Sequence, residues 1–411
     1  MTAEIALLNR NAIALAADSV VTLTGNSVSK TFDSAEKIFE LSRNYPIGLM
    51  IYNNPEVLNI PIEILIREFR EKFNDDVLKI EDVWPQVKNY IIDESQNYPN
   101  FHNHQSTHLK YLISPFFEQV EKVAESNLEF KPIIELLTQY LRYLKSIQIK
   151  KFDIQLFKKF KNAHEQEIHK IIENNFPNIN KHISDNPRRL VYFLMHAYYI
   201  IKSKTSSPFM TGLVFAGFGK EERFPALSYV EIDGFYFGEP RVIKSENIVI
   251  DREGHTSAIL PFAQKLMPER FVFGIDYEFT QKIQTFFSNS VETILNNLSG
   301  EILDKKSSIK QMAIEQFQKE LGDLKIRSFE ENNSIVHHLS KKELADYASL
   351  LVDLSSLHLR FSGKVETVGG PIDVAILTKN EGFIWVNRKK YFDLELNPSY
   401  HERRNVKQKV G

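Results

Sequence analysis

The second residue of the chain is a threonine, and removal of Met1 would make it the first. A threonine hydroxyl is a weak nucleophile near neutral pH and needs a base within hydrogen-bond reach. An N-terminal α-amino group can be that base, because its ordinary pKa of about 7.7–8.0 lies close to working pH. Methionine aminopeptidases accept a small second residue, so Thr2 can become N-terminal without a propeptide. A Met-Thr start is common, so it indicates acyl transfer to Thr2 only in combination with other residues of the sequence.

Short apolar segments around Thr2 predict antiparallel strands. Segments 4–8 and 13–17 are separated by the turn-forming Asn9-Arg10-Asn11, which predicts a hairpin, and segments 38–41 and 47–52 predict a second strand pair. From residue 58 to residue 204 the apolar residues take helical spacing. Helices are predicted there over 60–73, 109–123, 133–144, 157–172 and 190–201.

Strand character returns in the second half of the chain. Segments 210–218, 226–232 and 241–250 predict strands, with Asp233-Gly234 as the turn that closes the second one. Helices are predicted over 256–266, within 277–324, and from the capping box of Ser340 and Glu343 to about residue 361. Segments 372–378 and 383–386 predict a final strand pair. This order predicts an α+β protein with two antiparallel sheets, helices outside them and one large helical insertion.

Composition gives no indication of a charged partner. The 411-residue chain has 51 basic and 53 acidic residues, so no global field favours nucleic acid, an anionic membrane or an acidic substrate. The absence of cysteine excludes disulfides, thiolate metal sites and cysteine nucleophiles. The apolar opening is interrupted by Glu4, Arg10 and Asp18, and no apolar run reaches the roughly 18 residues of a membrane span. We therefore expect a soluble, cytoplasmic protein.

Several segments resemble one family of peptidases. They read TAEIALL from Thr2, IALAADS from Ile13, AEKIFEL from Ala35, IGLM from Ile47, GLVFAGFG from Gly212, PALSYVEIDG from Pro225 and GGPIDVAIL from Gly369. In order and spacing they resemble the β-type subunits of proteasomes and the related bacterial ring peptidases, which are N-terminal-nucleophile (Ntn) hydrolases. The resemblance implies an αββα sandwich of two antiparallel sheets. It leaves out residues 58–204 and the polar region around 277–337.

This resemblance implies roles for three further residues. Lys37 would lie beside the hydroxyl and the amine of Thr2, where its positive charge lowers their pKa values. Asp18 would hold Lys37 in place and keep it charged. The backbone N–H of Tyr52 would stabilise the oxyanion that forms on attack. Amide hydrolysis would then pass through an acyl-enzyme on Thr2, with no cofactor and no metal ion.

The sequence departs from the family pattern in two places. Tyr52-Asn53 replaces the usual glycine pair, and the tyrosine side chain could narrow the substrate cleft. Val365 and Val368 stand where the family has an aspartate and a serine that assist the terminal amine. Three polar residues remain open as replacements: Glu366, Thr367 and Ser257.

The resemblance also implies a substrate pocket. Its walls would come from Val21, Ala35, Phe39, Met50 and Asn54. These side chains are mainly apolar, so the pocket would accept a neutral side chain of a polypeptide or a small amide.

The predicted core comes from two parts of the chain. Residues 2–57 and 205–395 would form it, with an extra helical, polar region at about 277–337 and a flexible tail over 396–411. Members of the family form rings, so we expect a homo-oligomer. The helical insertion over 58–204 is large enough to hinder the stacking of two rings. We expect it to act as a lid or to dock an unfoldase or regulatory partner.

Two functions fit the resemblance. The first, which we favour, is a threonine-type peptidase or amidohydrolase, and a weaker variant of it is an amide hydrolase specific for a small molecule. The second is a catalytically inactive scaffold or regulatory subunit with the same fold. Removal of Met1 distinguishes them, because only the enzyme needs a free amine on Thr2.

Three other motifs have structural interpretations that we favour. His102, His104 and His108 have ligand-like spacing, but no acidic residue lies among them, and a polar loop before a helix explains them. Gly217-Phe-Gly219-Lys220 lacks the spacing of a phosphate loop and is interpreted as a hairpin end. Basic residues at 150–161 are mixed with phenylalanines and acidic neighbours, which favours a packing helix over a nucleic-acid surface.

Overall fold

The chain divides into two compact units. A computed structural model describes residues 2–24, 29–32, 35–42, 44–73, 76–127, 129–149, 152–297, 306–361, 369–390, 392–393 and 395–397. The first unit comprises Met1–Tyr52, Ala216–Ala226 and Val249–Gly411. The second comprises Asn53–Phe215 and Leu227–Ile248.

The described residues contain fourteen strands and eleven α-helices. The strands are β1 Ala3–Asn9, β2 Ile13–Ala17, β3 Val21–Thr24, β4 Ser29–Phe32, β5 Ile38–Glu40, β6 Ile47–Asn53, β7 Glu56–Val57, β8 Ile60–Pro61, β9 Thr211–Gly217, β10 Ala226–Tyr236, β11 Glu239–Val249, β12 Ser257–Ala263, β13 Asp373–Thr378 and β14 Gly382–Asn387. The helices are α1 Ile62–Lys72, α2 Val83–Asn97, α3 Phe101–Ser126, α4 Lys131–Ser146, α5 Ile154–Asn175, α6 Pro177–Asp185, α7 Leu190–Ile201, α8 Leu266–Phe273, α9 Tyr277–Asn297, α10 Lys306–His338 and α11 Lys341–Phe361.

The first unit is built on a five-stranded antiparallel sheet. Its strand order is β12-β1-β2-β13-β14. Side chains alternate between the two faces of a strand, so Ala3, Ile5 and Leu7 of β1 share one face. They form a core with residues of α10 and α11, among them Val336 and Leu351. Thr2 and Glu4 therefore lie on the opposite face of the sheet.

That opposite face is covered by β6, which pairs antiparallel with β5. A Cβ atom on Gly48 would lie 3.1 Å from the ring of Phe383 and 3.2 Å from Leu377. The rings of Tyr52 and Phe262 pack with their centroids 5.2 Å apart. The first unit thus stacks a helical layer, a sheet and a second layer of strands.

The second unit is mainly helical. Helices α1 to α7 lie in it, and a core of buried apolar side chains from α3 to α7 includes Phe117, Phe160 and Tyr198. Strands β11, β10 and β9 lie side by side in that order. Among the described residues, no helix combines the length and the apolar character that a membrane crossing requires.

A buried polar network ties α3 to β10 in the second unit. The Asp233 carboxylate accepts hydrogen bonds from Ser207 N–H at 2.8 Å, from Ser207 Oγ at 2.5 Å and from Arg241 Nη1 at 2.8 Å. The His108 ring bridges Asp233 Oδ1 and the Tyr236 hydroxyl, each at 2.8 Å. Burial alone would raise the pKa of Asp233, but the hydrogen bonds from His108 and Ser207 and the charge of Arg241 lower it overall.

The fold class predicted from the sequence is confirmed at the level of an α+β protein with two antiparallel sheets. The opening hairpin, the β5–β6 pair and the final β13–β14 pair are all present. The capping box that begins α11 is also confirmed, with Ser340 N–H donating to Glu343 Oε2 at 2.9 Å. Helix α5 buries Phe157 and Phe160 in the core, as predicted for a packing helix.

Two predictions about β12 and β10 were wrong. Residues 256–266 do not form a helix, because Ser257–Ala263 is strand β12. This strand lies at the edge of its sheet, a position that tolerates Pro261 although proline has no backbone N–H to donate. Asp233-Gly234 is not a turn, because β10 continues to Tyr236 and the chain reverses at Phe237 and Gly238, where φ is 59° and 82°.

Local patterns also missed several elements. The hairpin of β3 and β4, the short strands β7 and β8, and helices α2 and α6 were not predicted. The polar loop proposed for His102 to His108 is part of α3. The flexible tail predicted for residues 396–411 falls almost entirely outside the described residues.

A matched pair of glycine substitutions tests the packing of the buried network. Gly234 has φ of 76°, and a Cβ there would lie 2.4 Å from the His108 ring. Gly238 has φ of 82°, but a Cβ there would meet no described atom within 4 Å beyond its chain neighbours. We expect Gly238→Ala to cost about 1 kcal/mol through backbone strain alone. Gly234→Ala adds a steric clash and should cost about 3 kcal/mol or more. Urea unfolding measures both, and equal losses would contradict the packing.

Candidate functional site

The candidate site is built around Thr2. Thr2 Oγ1 donates a hydrogen bond to Glu4 Oε2 at 3.1 Å. The two side chains meet because residues i and i+2 of a strand project from the same face. Strand β1 is held on both sides, by β2 and by β12, so this pair is fixed relative to the sheet. Thr2 itself is only 3% exposed.

Asp18 closes the site at the end of β2. Its Oδ1 accepts a hydrogen bond from the N–H of Ala3 at 3.0 Å, and its Oδ2 accepts one from the N–H of Gly369 at 3.0 Å. The neighbouring Ser19 N–H donates to the Gly369 carbonyl at 3.2 Å, which fixes the two segments against each other. Asp18 is thus a buried anchor for the chain start and for the segment before β13.

Lys37 contributes a buried ammonium group to the cluster. Its Nζ donates to Asp18 Oδ1 at 2.5 Å and to the Val20 carbonyl at 3.0 Å. The same Nζ lies 3.4 Å from Glu4 Oε1. The carbonyl of Lys37 accepts a hydrogen bond from Ile51 N–H at 2.8 Å, so β6 fixes its backbone. The structure therefore brings Thr2, Asp18 and Lys37 into one buried cluster.

Glu4 is the residue of this cluster that the sequence analysis missed. Its side chain is fully buried and contacts both the Thr2 hydroxyl and the Lys37 ammonium. Part of the signal was present, because the predicted strand begins at Glu4, and a strand that extends back to Thr2 places both side chains on one face. A carboxyl that interrupts an apolar strand is unusual enough to suggest a specific role.

Burial controls the protonation of Glu4. It raises the pKa of the Glu4 carboxyl to about 8, against the opposing effect of the Lys37 charge, and the charge of Asp18 adds to the rise. Lys37 Nζ lies 3.4 Å from Oε1, an ion-pair distance, and Oε1 has no closer hydrogen-bond donor among the described residues. Glu4 therefore holds its proton far more tightly than an exposed glutamate does.

Tyr52, the predicted oxyanion donor, lies near the end of β6. It is buried and its ring packs on Phe262, which pairs with Glu4 across the β1–β12 ladder. Asn53 follows with φ of 65°, a conformation that glycine adopts freely and that asparagine tolerates better than most residues. Asparagine therefore accommodates the backbone conformation at a position where the family has glycine.

The predicted pocket residues are placed as follows. Phe39 and Met50 are buried on the paired strands β5 and β6, and Ala35 is half-buried. The side chain of Val21 lies outside the described part of the structure. Asn54 belongs to the second unit, where its amide donates to the Glu56 carbonyl at 2.9 Å.

The proposed replacements for the family's serine and aspartate are only partly described. Val365, Glu366, Thr367 and Val368 lie outside the described residues. Ser257 is described, and its hydroxyl donates to the Asn333 carbonyl at 2.8 Å. It pairs with Asn9, six β1 positions after Ala3, so it lies roughly 20 Å along the strand from the Thr2 end. Ser257 therefore does not assist Thr2, and that suggestion was wrong.

The three histidines of α3 do not meet a common set of ligands. His108 is held in the Asp233 network, and His104 contacts the ring of Tyr98. Desolvation by burial lowers the pKa of His104, and the nearby His108 adds to the effect. Within the part of the chain that the structure describes, no group of three or more histidine, cysteine, aspartate or glutamate side chains could hold a metal ion.

Comparisons with known proteins add little to these contacts. No protein-family model and no curated protein matches the chain. One similar solved structure is Anbu, described as an ancestral beta-subunit, from Yersinia bercovieri. It is 10% identical, with 98% of this chain and 95% of that chain covered, at a TM-score of 0.27. A likeness at that TM-score shows neither the fold nor the function of this chain.

The raised pKa of Glu4 predicts a particular dependence of stability on pH. Its folded pKa of about 8 lies above its ordinary value of 4.5. As pH rises between these values, the unfolded chain loses the Glu4 proton while the folded chain keeps it, so this group makes the protein less stable. Glu4→Gln removes that loss, and its stability relative to the native protein should increase from about pH 5 to about pH 8.

Urea unfolding at several pH values and constant salt measures this difference. Glu36→Gln is the matched control, because Glu36 neighbours Lys37 in sequence but pairs with Arg388 at 3.0 Å. Stability curves for Glu4→Gln and the native protein that stay parallel across this range would show that Glu4 is not a buried, protonated acid.

Proposed function

We propose that this chain is a proteasome-like Ntn hydrolase of αββα architecture that cleaves peptide or other amide bonds through Thr2. The observation that supports this proposal is the hydrogen bond of the Thr2 hydroxyl inside a buried cluster with Glu4, Lys37 and Asp18. A hydroxyl nucleophile needs a neighbouring base, and a nearby positive charge favours its ionised form; both group types are present here. A cluster of buried ionisable groups is also more frequent at functional sites than elsewhere.

The proposed reaction is acyl transfer in two steps. After Met1 is removed, Thr2 Oγ1 attacks the amide carbonyl carbon, the C–N bond breaks, and the amine leaves with a proton. Water then attacks the ester on Thr2 and releases the acid. The Lys37 ammonium favours the alkoxide character of Oγ1, and Asp18 holds that ammonium through its hydrogen bond.

The remaining family positions fit this proposal as follows. The N–H of Tyr52 is proposed to stabilise the oxyanion. Ala35, Phe39 and Met50 are proposed to line the substrate pocket, and their apolar side chains would favour substrates with a neutral side chain over charged ones.

A second candidate function is a scaffold or regulatory subunit of the same fold. The observation that favours it is the burial of Thr2, which is only 3% exposed in the chain that still carries Met1. A nucleophile that stays enclosed cannot meet a substrate. The two functions separate on one measurement, because the enzyme requires a mature chain that begins at Thr2.

Intact mass and labelling of Thr2 test the enzyme. We expect the mass of the purified protein to lack Met1, and we expect a hydroxyl-directed electrophile such as a β-lactone to modify Thr2. Thr2→Ala should abolish both labelling and amide hydrolysis without unfolding the protein. Thr285→Ala, which changes an exposed threonine of α9, is the control. A folded Thr2→Ala protein that keeps full activity would rule out this nucleophile.

Two substitutions test the roles of Lys37 and Asp18. Lys37→Ala removes the positive charge itself and should slow acylation of Thr2 by about 100-fold or more, since electrostatic stabilisation of this kind is worth that much. Asp18→Asn acts through Lys37 and should slow the reaction no more than Lys37→Ala does. Circular dichroism and urea unfolding check that both variants fold. A folded Lys37→Ala protein that is labelled at a near-native rate would show that Lys37 has no role in the reaction.

A further inference from the structure

The hydroxyl of Thr2 already has a proton acceptor in the structure. Its Oγ1 lies 3.1 Å from Glu4 Oε2, a distance at which a proton can move between them. The pairing follows from the extended chain, since Thr2 directly precedes β1, its carbonyl accepts a hydrogen bond from Gln264 N–H at 3.0 Å, and residues two apart in extended chain project to the same face. Glu4 is thus in direct contact with the atom that would attack the substrate.

The other groups of the cluster are poorly suited to accept that proton. The ammonium of Lys37 has no acceptor lone pair, and it is engaged by Asp18 and by the Val20 carbonyl. Asp18 receives N–H donors from Ala3 and Gly369 besides Lys37. Glu4 Oε1, by contrast, has no hydrogen-bond partner among the described residues. Glu4 therefore has acceptor capacity that Asp18 and Lys37 lack.

The surroundings of Glu4 set its affinity for a proton. Ala17 of β2 and Phe262 of β12 flank it across the sheet, and Tyr52 of β6 packs its phenol ring on Phe262. Lys37 and Asp18 are the charged groups that act on it. Burial dominates and raises the pKa of Glu4 to about 8, close to the value at which a general base works best in neutral solution.

We propose that Glu4 is a further catalytic residue, whose carboxylate takes the hydroxyl proton of Thr2 as Oγ1 bonds to the carbonyl carbon. This inference rests on the proposed function and deepens it. The acid form of Glu4 then gives the proton to the nitrogen as the C–N bond breaks. In the second step, Glu4 takes a proton from water as the hydroxide adds to the ester, and it returns that proton to Oγ1 as the ester bond breaks. Protons balance over the cycle.

The rate at which a β-lactone acylates Thr2, measured against pH, tests this role. In that reaction Glu4 takes the Thr2 proton and passes it to the oxygen of the opened ring. We expect the native rate to rise with pH as Glu4 ionises. Glu4→Gln should lower the acylation rate by about 100-fold or more, the usual loss when a general base is removed. It should also abolish the part of the increase in rate with pH that comes from ionisation of Glu4. Glu36→Gln should behave as the native protein does.

A structural role for Glu4 predicts a different result. Loss of packing alone would lower stability but leave the pH profile of the remaining active protein unchanged. Should Glu4→Gln fail to fold, Glu4→Asp is the second variant, because it keeps the carboxyl but moves it away from Thr2 Oγ1. Its acylation rate should be lower than the native rate and should still increase with pH.

Three outcomes are distinguishable. Slower acylation by the variants with an altered pH profile supports the inference. A Glu4→Gln protein that is labelled on Thr2 at the native rate and with the native dependence on pH overturns the role of Glu4 and leaves the proposed function standing. If Glu4→Asp is the variant used, the same conclusion follows from a native rate and a native midpoint of the pH dependence. A mature native protein that is never labelled on Thr2 overturns the proposed function itself, and the role of Glu4 falls with it.

Discussion

The buried ion pair of Lys37 and Asp18, with 2.5 Å between Nζ and Oδ1, is the interaction on which the site depends. A charge buried without a partner is destabilising by several kcal/mol, so each of these groups requires the other. Asp18 also binds the N–H groups of Ala3 and Gly369, and this joins the chain start to a segment more than 350 positions away. One cation balances one carboxylate, so a second buried carboxyl, Glu4, is left to hold a proton.

A second buried carboxyl, in the other unit, shows why the environment decides the charge. Asp233 accepts hydrogen bonds from both the backbone and the hydroxyl of Ser207, from His108 and from Arg241, and its pKa is lowered. The Glu4 carboxyl accepts a hydrogen bond from the Thr2 hydroxyl and has the Lys37 ammonium 3.4 Å away, and its pKa is raised. Both are buried, so the difference lies in the hydrogen-bond donors and the charges around each carboxyl. Asp233 is a fixed anion that holds α3 against β10, whereas Glu4 can change its charge near neutral pH.

Sequence reasoning succeeded where a local pattern agrees with the tertiary structure. Two short apolar runs around the turn-forming Asn9-Arg10-Asn11 predicted the hairpin, and the resemblance brought Thr2, Asp18 and Lys37 to one place. It failed where tertiary contacts override the pattern: β12 forms because β1 offers an open edge, and β10 passes through Gly234 because His108 packs against that glycine. Glu4 was missed because the family pattern assigns nothing there. The chemistry of a residue absent from the pattern becomes visible only when its neighbours are known.

Maturation changes the electrostatics of this cluster. Removing Met1 adds an α-amino group to Thr2, the residue whose hydroxyl Glu4 contacts, and that amine ordinarily has a pKa of about 7.7–8.0. Two groups with similar proton affinity would then act on one hydroxyl. An ammonium nearby favours the ionised form of Glu4, and an ionised Glu4 favours the ammonium, so each biases the charge of the other. The increase of activity with pH therefore reflects the coupled titration of Glu4 and the amine, and not of one group alone. Comparison of the native protein with Glu4→Gln separates proton transfer through Glu4 from proton transfer through the amine.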